Sequence, residues 1–278
     1  MSKVAHSART CFVKAVDSNS RLTQRGGTSY SYDDAGRMVS RDQGALVNLA
    51  WEGPHLTSAT EVAGPAPTYV YDANGLLVRR SEGGVETRYL WDRSEGGVPR
   101  ILATYDSTGT LIESFLWDQH GLLQVRGATT STVIRDRLGS PRGLTDAAGT
   151  LTDTWNYDAW GAEVGGTGVM TLPFGWEGHL IDADTGFLYA QARWYDPDAG
   201  RFLSRDPAPG HPSQPLTMHP YIYGRGDPVH WVDPTGDFGI TMTFAVSFIT
   251  LGHTALNVTF GLGVLQRALY LIYGQASQ

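Results

Sequence analysis

The sequence predicts an all-β protein: a long meander of hairpins rolled into a sheet, followed by a short hydrophobic C-terminal segment. Three observations carry that expectation. Turn-forming pairs punctuate the chain, four of them Asp-Pro at Asp196, Asp206, Asp227 and Asp233. Pro fixes φ and Gly accepts positive φ, so the runs between such pairs are short strands of about four to six residues. One unit then recurs from Thr28 onward: an aromatic, Asp, two or three residues, Gly and a short aliphatic run. The composition agrees, since 34 Gly, 13 Tyr and 8 Trp against only 18% charged residues suit many tight turns.

Residues 1–27 are mostly polar and end in Gly26-Gly27, which reads as an N-terminal strand or a disordered start with no assigned function. The opening MSKVAHSARTCFVKA lacks the apolar core of a Sec signal, and the single Cys11 excludes an intrachain disulfide. Residues 28–160 form the hairpin array. Full units stand at Tyr32-Asp33, Tyr71-Asp72, Tyr105-Asp106, Trp117-Asp118 and Tyr157-Asp158, with weaker copies at Trp91-Asp92, Asp136 and Asp146. Each Asp is expected to accept backbone N–H bonds in its turn, each Gly to close it with positive φ, and each aromatic to pack on the preceding repeat. Ser29–Tyr32, Thr68–Tyr71, Thr87–Trp91 and Ser114–Trp117 read as outgoing strands. Leu76–Arg79, Leu111–Ser114 and Leu122–Val125 read as returns. Hairpins of this kind bury their apolar faces only against their neighbours, so the array is expected to be cooperative.

Residues 161–184, with Gly165-Gly166 and Gly168, read as a Gly-rich hinge. No strand, Gly turn and helix follow one another there, which argues against a phosphate loop. Residues 185–236 pack turns most densely. Leu188, Ala190, Ala192 and Trp194 alternate with Tyr189, Gln191, Arg193 and Tyr195, the period of a single strand. Composition then changes: Phe238 to Gln266 contains no Asp, Glu, Lys or Arg. In the tail, 237–278, residues 240–248 alternate as a half-buried strand. Thr254–Tyr273 is long and apolar enough to span a bilayer as a helix, though Asn257, Gln266 and Arg267 interrupt it. Three readings of the tail stand open: a plug or cap on the array, a membrane-inserting effector, and a truncated effector with no fold of its own.

Gly186-Phe187-Leu188-Tyr189, Ala192-Arg193-Trp194-Tyr195-Asp196-Pro197, Gly200-Arg201-Phe202, Arg205-Asp206-Pro207, Tyr221-Ile222-Tyr223, Asp227-Pro228 and Asp233-Pro234-Thr235-Gly236 stand in an order and spacing that resembles the C-terminal core of the Rhs and YD-repeat family. The aromatic-Asp units resemble YD repeats, so the resemblance covers roughly residues 28–236. It implies an arc of a hollow β-shell whose edges pair with other YD-repeat chains or shell segments. It also implies a variable tail, often a toxin with an immunity protein, and an extracellular or cell-surface location. Trp91 and Trp117 stand where the family has Tyr, and Arg135 stands where the aromatic is expected.

The resemblance further implies that Asp206 and Asp233 act together as an aspartyl autopeptidase releasing the tail, with the adjacent Arg205 in support. Two carboxylates sharing one proton can activate water and polarise the scissile carbonyl together. The family places Leu after Asp-Pro-x-Gly and cuts behind it, whereas this chain has Asp237. The alternative is that both Asp residues only cap turns. His211, His219 and His230 match no common ligand spacing and read as loop residues, so no metal and no cofactor is expected. A net charge of −7 with pI near 5.6 argues against a nucleic-acid surface. The repeat aromatics read as core between hairpins, with a carbohydrate-binding surface as the rival. The expected function is therefore a structural shell that encloses or presents its tail, with self-cleavage or a membrane-inserting tail (residues 238–278) as rivals.

Overall fold

The structure is a computed structural model and describes residues 14–43, 46–61, 65–93, 98–168, 172–208, 210, 212–213, 215–237 and 240–241. Among these, sixteen strands form one antiparallel sheet in chain order. They are β1 (Lys14–Val16), β2 (Leu22–Arg25), β3 (Thr28–Tyr32), β4 (Met38–Asp42), β5 (Leu46–Glu52), β6 (His55–Glu61), β7 (Thr68–Tyr71) and β8 (Leu77–Glu82). The second half comprises β9 (Val85–Asp92), β10 (Arg100–Tyr105), β11 (Leu111–Asp118), β12 (Gly121–Arg126), β13 (Thr130–Arg135), β14 (Pro141–Thr145), β15 (Leu151–Tyr157) and β16 (Glu163–Thr167). The expected meander is what forms. Leu111–Ser114 and Ser114–Trp117, read as a return and an outgoing strand, are one strand, β11. The 161–184 stretch, read as a hinge, supplies β16 and a buried run through Leu172, Phe174 and Trp176.

The turns follow the sequence chemistry. At Asp33, Asp72, Asp106, Asp136, Asp146 and Asp158 the Asp N–H donates to the carbonyl four residues on, and the Gly N–H returns to the Asp carbonyl. The Asp Oδ1 accepts the N–H four residues ahead at every one of them. Asp17 builds the same turn with Ser20, at φ 63°, in the Gly place. The unit at Trp117 differs: Asp118 pairs directly with Gly121, leaving a two-residue turn.

The departures from Tyr resolve into one rule. The last or near-last residue of each odd strand from β5 to β13 sends a donor to a carbonyl near the start of the preceding even strand. Trp51 reaches Met38, Trp91 reaches Leu77 and Trp117 reaches Ile101, each at 2.7 Å. Tyr71 reaches Leu56 at 2.8 Å and Arg135 reaches Gly121 at 2.9 Å. The position asks for a donor of the right reach, which an indole N–H, a phenol O–H or a guanidinium N–H supplies equally. Trp91→Phe should therefore lower stability by about 1–3 kcal/mol, read from urea unfolding, because it strands the Leu77 carbonyl without its partner.

Residues 172–203 cross back over the inner face of this sheet. They carry a four-stranded antiparallel sheet, β17 (Leu180–Ile181), β18 (Leu188–Ala190), β19 (Arg193–Asp196) and β20 (Arg201–Phe202). The single strand read across Leu188–Tyr195 is instead a hairpin: β18 and β19 pair around Gln191, which adopts φ 62°. The alternation was real, but the segment is buried on both sides, so the two-residue period no longer marks one face. Leu172, Phe174, Phe187, Tyr189, Trp194 and Leu203 join sheet residues from Leu22 to Trp155 in one core. Tyr189 packs on Tyr71 and Trp91, and Phe174 on Phe115 and Trp117. Buried polar ties fix the crossing: Arg41 pairs with Asp196 at 3.2 Å, and Tyr69 and Arg80 each bond Asp182 at 2.8 Å. β21 (Trp231–Val232) pairs antiparallel with β22 (Ile240–Thr241). Residues 242–278 lie outside the described residues, as do His211 and Cys11, so the readings of the tail beyond β22 lie there too.

Candidate functional site

The site forms where the returning segment ends. Arg193, the first residue of β19, is 3% exposed, with its guanidinium 3.6 Å over the Phe202 ring. Its Nη2 lies 2.9 Å from Asp206 Oδ2 and 3.6 Å from Asp233 Oδ2. Thus the two carboxylates singled out in the sequence, 27 positions apart, meet at one cation. Asp233 is buried and Asp206 nearly so.

Arg193 does a second thing: its Nε donates to the Gly236 carbonyl. The Ala192 N–H donates to Thr235 O at 2.9 Å, so residues 235–236 are pinned against the start of β19. Gly236 has φ 72°, and a Cβ there would lie 2.4 Å from the Ala190 carbonyl. That approach requires glycine.

Burial raises the Asp206 pKa from its ordinary value, and Arg193 offsets part of the rise. The Asp237 carboxyl is likewise raised by burial, with Arg193 opposing and Asp206 adding. Three carboxyls thus surround one arginine, an arrangement that favours retention of a proton. Asp206 also caps a turn, accepting the Ala208 N–H at 2.8 Å while its own N–H donates to Pro220 O. Capping and clustering are therefore not exclusive alternatives.

Arg205 is placed differently from the sequence expectation. It is exposed, with its Cβ beside Gly36, and the cation facing the pair is Arg193. In the sequence Arg193 stands inside the Ala192–Pro197 block with no separate mark of a role. The signal that could have found it is a charged residue in a run otherwise destined for burial, Ala190 to Tyr195. His219 Nδ1 accepts the Tyr221 N–H at 3.2 Å, and His230 pairs with Asp227, so these two histidines serve separate turns.

A hairpin meander closed on its own returning segment defines a class, the YD-repeat shell proteins. Residues 1–229 match the Teneurin YD-shell family, and the chain belongs to it. It is 29% identical over 224 residues to a tRNA3(Ser)-specific nuclease WapA of Bacillus spizizenii, covering 78% of this chain and 9% of that protein. It is 26% identical to the double-stranded DNA deaminase toxin A of Burkholderia cenocepacia, covering 76% and 21%. The toxin protein Tse5 of Pseudomonas aeruginosa is 25% identical, covering 87% and 20%. Among solved structures, the Photorhabdus luminescens Tc holotoxin pore shares the fold at TM-score 0.51 and 14% identity, over 90% of this chain and 16% of that one. The chain thus spans a fifth or less of these relatives, apart from the deaminase toxin at just over a fifth.

Proposed function

We propose that this chain is a shell segment that encloses or presents the residues following its core. The observation that carries the reading is the returning segment 172–203, which lies on the inner face of the sheet, together with the pinned point that follows at Gly236. The edge strand β16 is exposed throughout and, among the described residues, pairs only with β15, which supports association with further shell strands. The nuclease and deaminase activities named for relatives belong to much longer proteins. By analogy, a distinct effector would follow the shell, and the whole would act outside the cell that makes it.

A second reading, self-cleavage after the core, is favoured by one specific contact, that of Arg193 with the Gly236 carbonyl beside Asp206 and Asp233. In this scheme one carboxylate, Asp233, takes a proton from water as its oxygen adds to the Gly236 carbonyl carbon. Asp206, holding its proton, delivers it to the leaving nitrogen of Asp237 as the C–N bond breaks, giving a new carboxylate and a new amine. Arg193 stabilises the developing oxyanion.

Intact mass of freshly prepared protein at neutral pH, beside Asp206→Asn and Asp233→Asn, tests both readings. Release of residues 237–278 by wild type alone is the expected result for self-cleavage. The rate should fall as pH rises through the raised pKa of Asp206, because the required proton is then lost. Co-elution of the released piece with the shell in gel filtration is expected if the shell encloses it. Full-length mass in all three proteins would discard cleavage, and a released piece that elutes alone would discard enclosure.

A further inference from the structure

Tyr223 holds the backbone of Asp233 from behind, and Glu177 in turn holds Tyr223. The Tyr223 ring is fully buried among Trp176, Tyr195 and Phe202. Its hydroxyl accepts the Asp233 N–H at 3.1 Å. The same hydroxyl meets a Glu177 carboxylate oxygen and, at 3.2 Å, His179 Nε2. The other Glu177 oxygen is buried and meets no partner.

Glu177 itself adopts φ 54°, a left-handed value for a non-glycine residue, and its N–H donates to Ser140 Oγ at 3.0 Å. Left-handed strain at a non-glycine residue persists only where the surroundings over-determine it, and it concentrates at working sites. Glu177 also shares a cavity of about 210 Å³ with His179, Gln191, Val232 and Pro234. The cavity is thus lined by Glu177 together with both chain neighbours of Asp233, Val232 and Pro234.

We propose that Tyr223 is the positioning residue of Asp233 and that Glu177 acts through it, making self-cleavage depend on a carboxyl outside the reacting pair. This inference rests on the self-cleavage reading above. A phenol has one proton to give, so the relay has two arrangements. With Glu177 protonated, its O–H donates to the Tyr223 oxygen and Tyr223 donates to His179. With Glu177 ionised, Tyr223 turns its proton to the carboxylate, and a negative charge stands beside Asp233.

The surroundings favour the first arrangement. Burial, with the nearby Asp233 and Asp136, raises Glu177 well above the carboxylate range, while its bond to Tyr223 opposes. Burial lowers His179 to about 4, leaving its ring a neutral acceptor. The titratable groups facing Glu177 are Tyr223, Tyr195, His179, Asp136 and Asp233, with His120 across the cavity; the cation Arg193 faces Asp233.

The test follows cleavage by intact mass across acidic to alkaline pH for wild type, Glu177→Gln and Tyr223→Phe in the full chain, with circular dichroism confirming each fold. Tyr223→Phe should cleave at least roughly tenfold more slowly. The amide of the Glu177→Gln variant cannot ionise, so its rate relative to wild type should be near one at acidic pH. The ratio should climb by roughly tenfold as pH passes the raised Glu177 pKa. A flat ratio in a protein that cleaves overturns the relay alone, and so does a Tyr223→Phe variant that cleaves at the wild-type rate. If Tyr223→Phe fails to fold, the ratio decides. A wild type that stays whole at every pH removes the self-cleavage reading, and the relay with it.

Discussion

Replacing Arg193 by Met should lower stability by about 3–5 kcal/mol at neutral pH, because it removes a buried guanidinium that lies against the carboxylates of Asp206 and Asp233. For a chain of this size that is a fall in melting temperature of roughly 10 °C. Met keeps much of the side chain's bulk over Phe202, so packing loss is a minor part of the effect. The pH dependence identifies the cause. With the guanidinium gone, the burial that already raises Asp206 in the folded chain loses its main opposing influence. A group with a raised folded pKa favours folding below its unfolded pKa, and that contribution disappears as pH rises through the folded value. The deficit of the variant should therefore be large at neutral pH and shrink toward pH of about 4. Thermal unfolding across that range is the measurement. A deficit independent of pH would show that Arg193 acts by packing alone. Self-cleavage, if present, should disappear in the same variant, since the Gly236 carbonyl loses its donor.

Trp194→Ala should be as damaging, by about 3–5 kcal/mol, with no such pH dependence. Trp194 is 2% exposed and packs its ring 4.8 Å from Tyr69 and 5.1 Å from Tyr189. Its Nε1–H donates to the Tyr71 hydroxyl at 2.8 Å, which in turn bonds Leu56 O. The substitution thus opens a cavity and breaks the link between the returning segment and two hairpins of the array. Urea unfolding should show a lower midpoint. A reduced slope would add that the returning segment had come away from the sheet before global unfolding. A change below about 1 kcal/mol would mean that the core does not depend on this crossing.

The two variants also separate the parts of the molecule. Loss at Arg193 unbalances charge at the end of the core. Loss at Trp194, one residue later, unseats the core from the array.

The array was legible in the sequence because its turns are made by local chemistry. Asp and Gly at fixed spacing close the aromatic-Asp units through bonds within five residues, and these appear as expected at Asp33, Asp72, Asp106 and Asp158. The pairing of neighbours in chain order follows from short connections. The donor rule at Trp91, Trp117 and Arg135 was not legible, because it concerns a reach across to the previous strand rather than an identity along the chain. Nor was the hairpin at Gln191, since a segment buried on both faces loses the alternation that marks a strand's two sides.

For the site, the sequence singled out Asp206 and Asp233 by their family blocks and named Arg205 by adjacency. By itself, then, the sequence determined an all-β meander and its turns, and it singled out the two acidic residues that the fold brings to one arginine. Only the tertiary structure decided that the segment after β16 folds back inside the sheet, that Arg193 rather than Arg205 faces both carboxylates, and that Tyr223 and Glu177 stand behind Asp233. The physical reason is that turns are fixed by neighbours in sequence. The charge balance of a buried cluster is fixed by residues that meet only when strands separated by tens of positions are brought together.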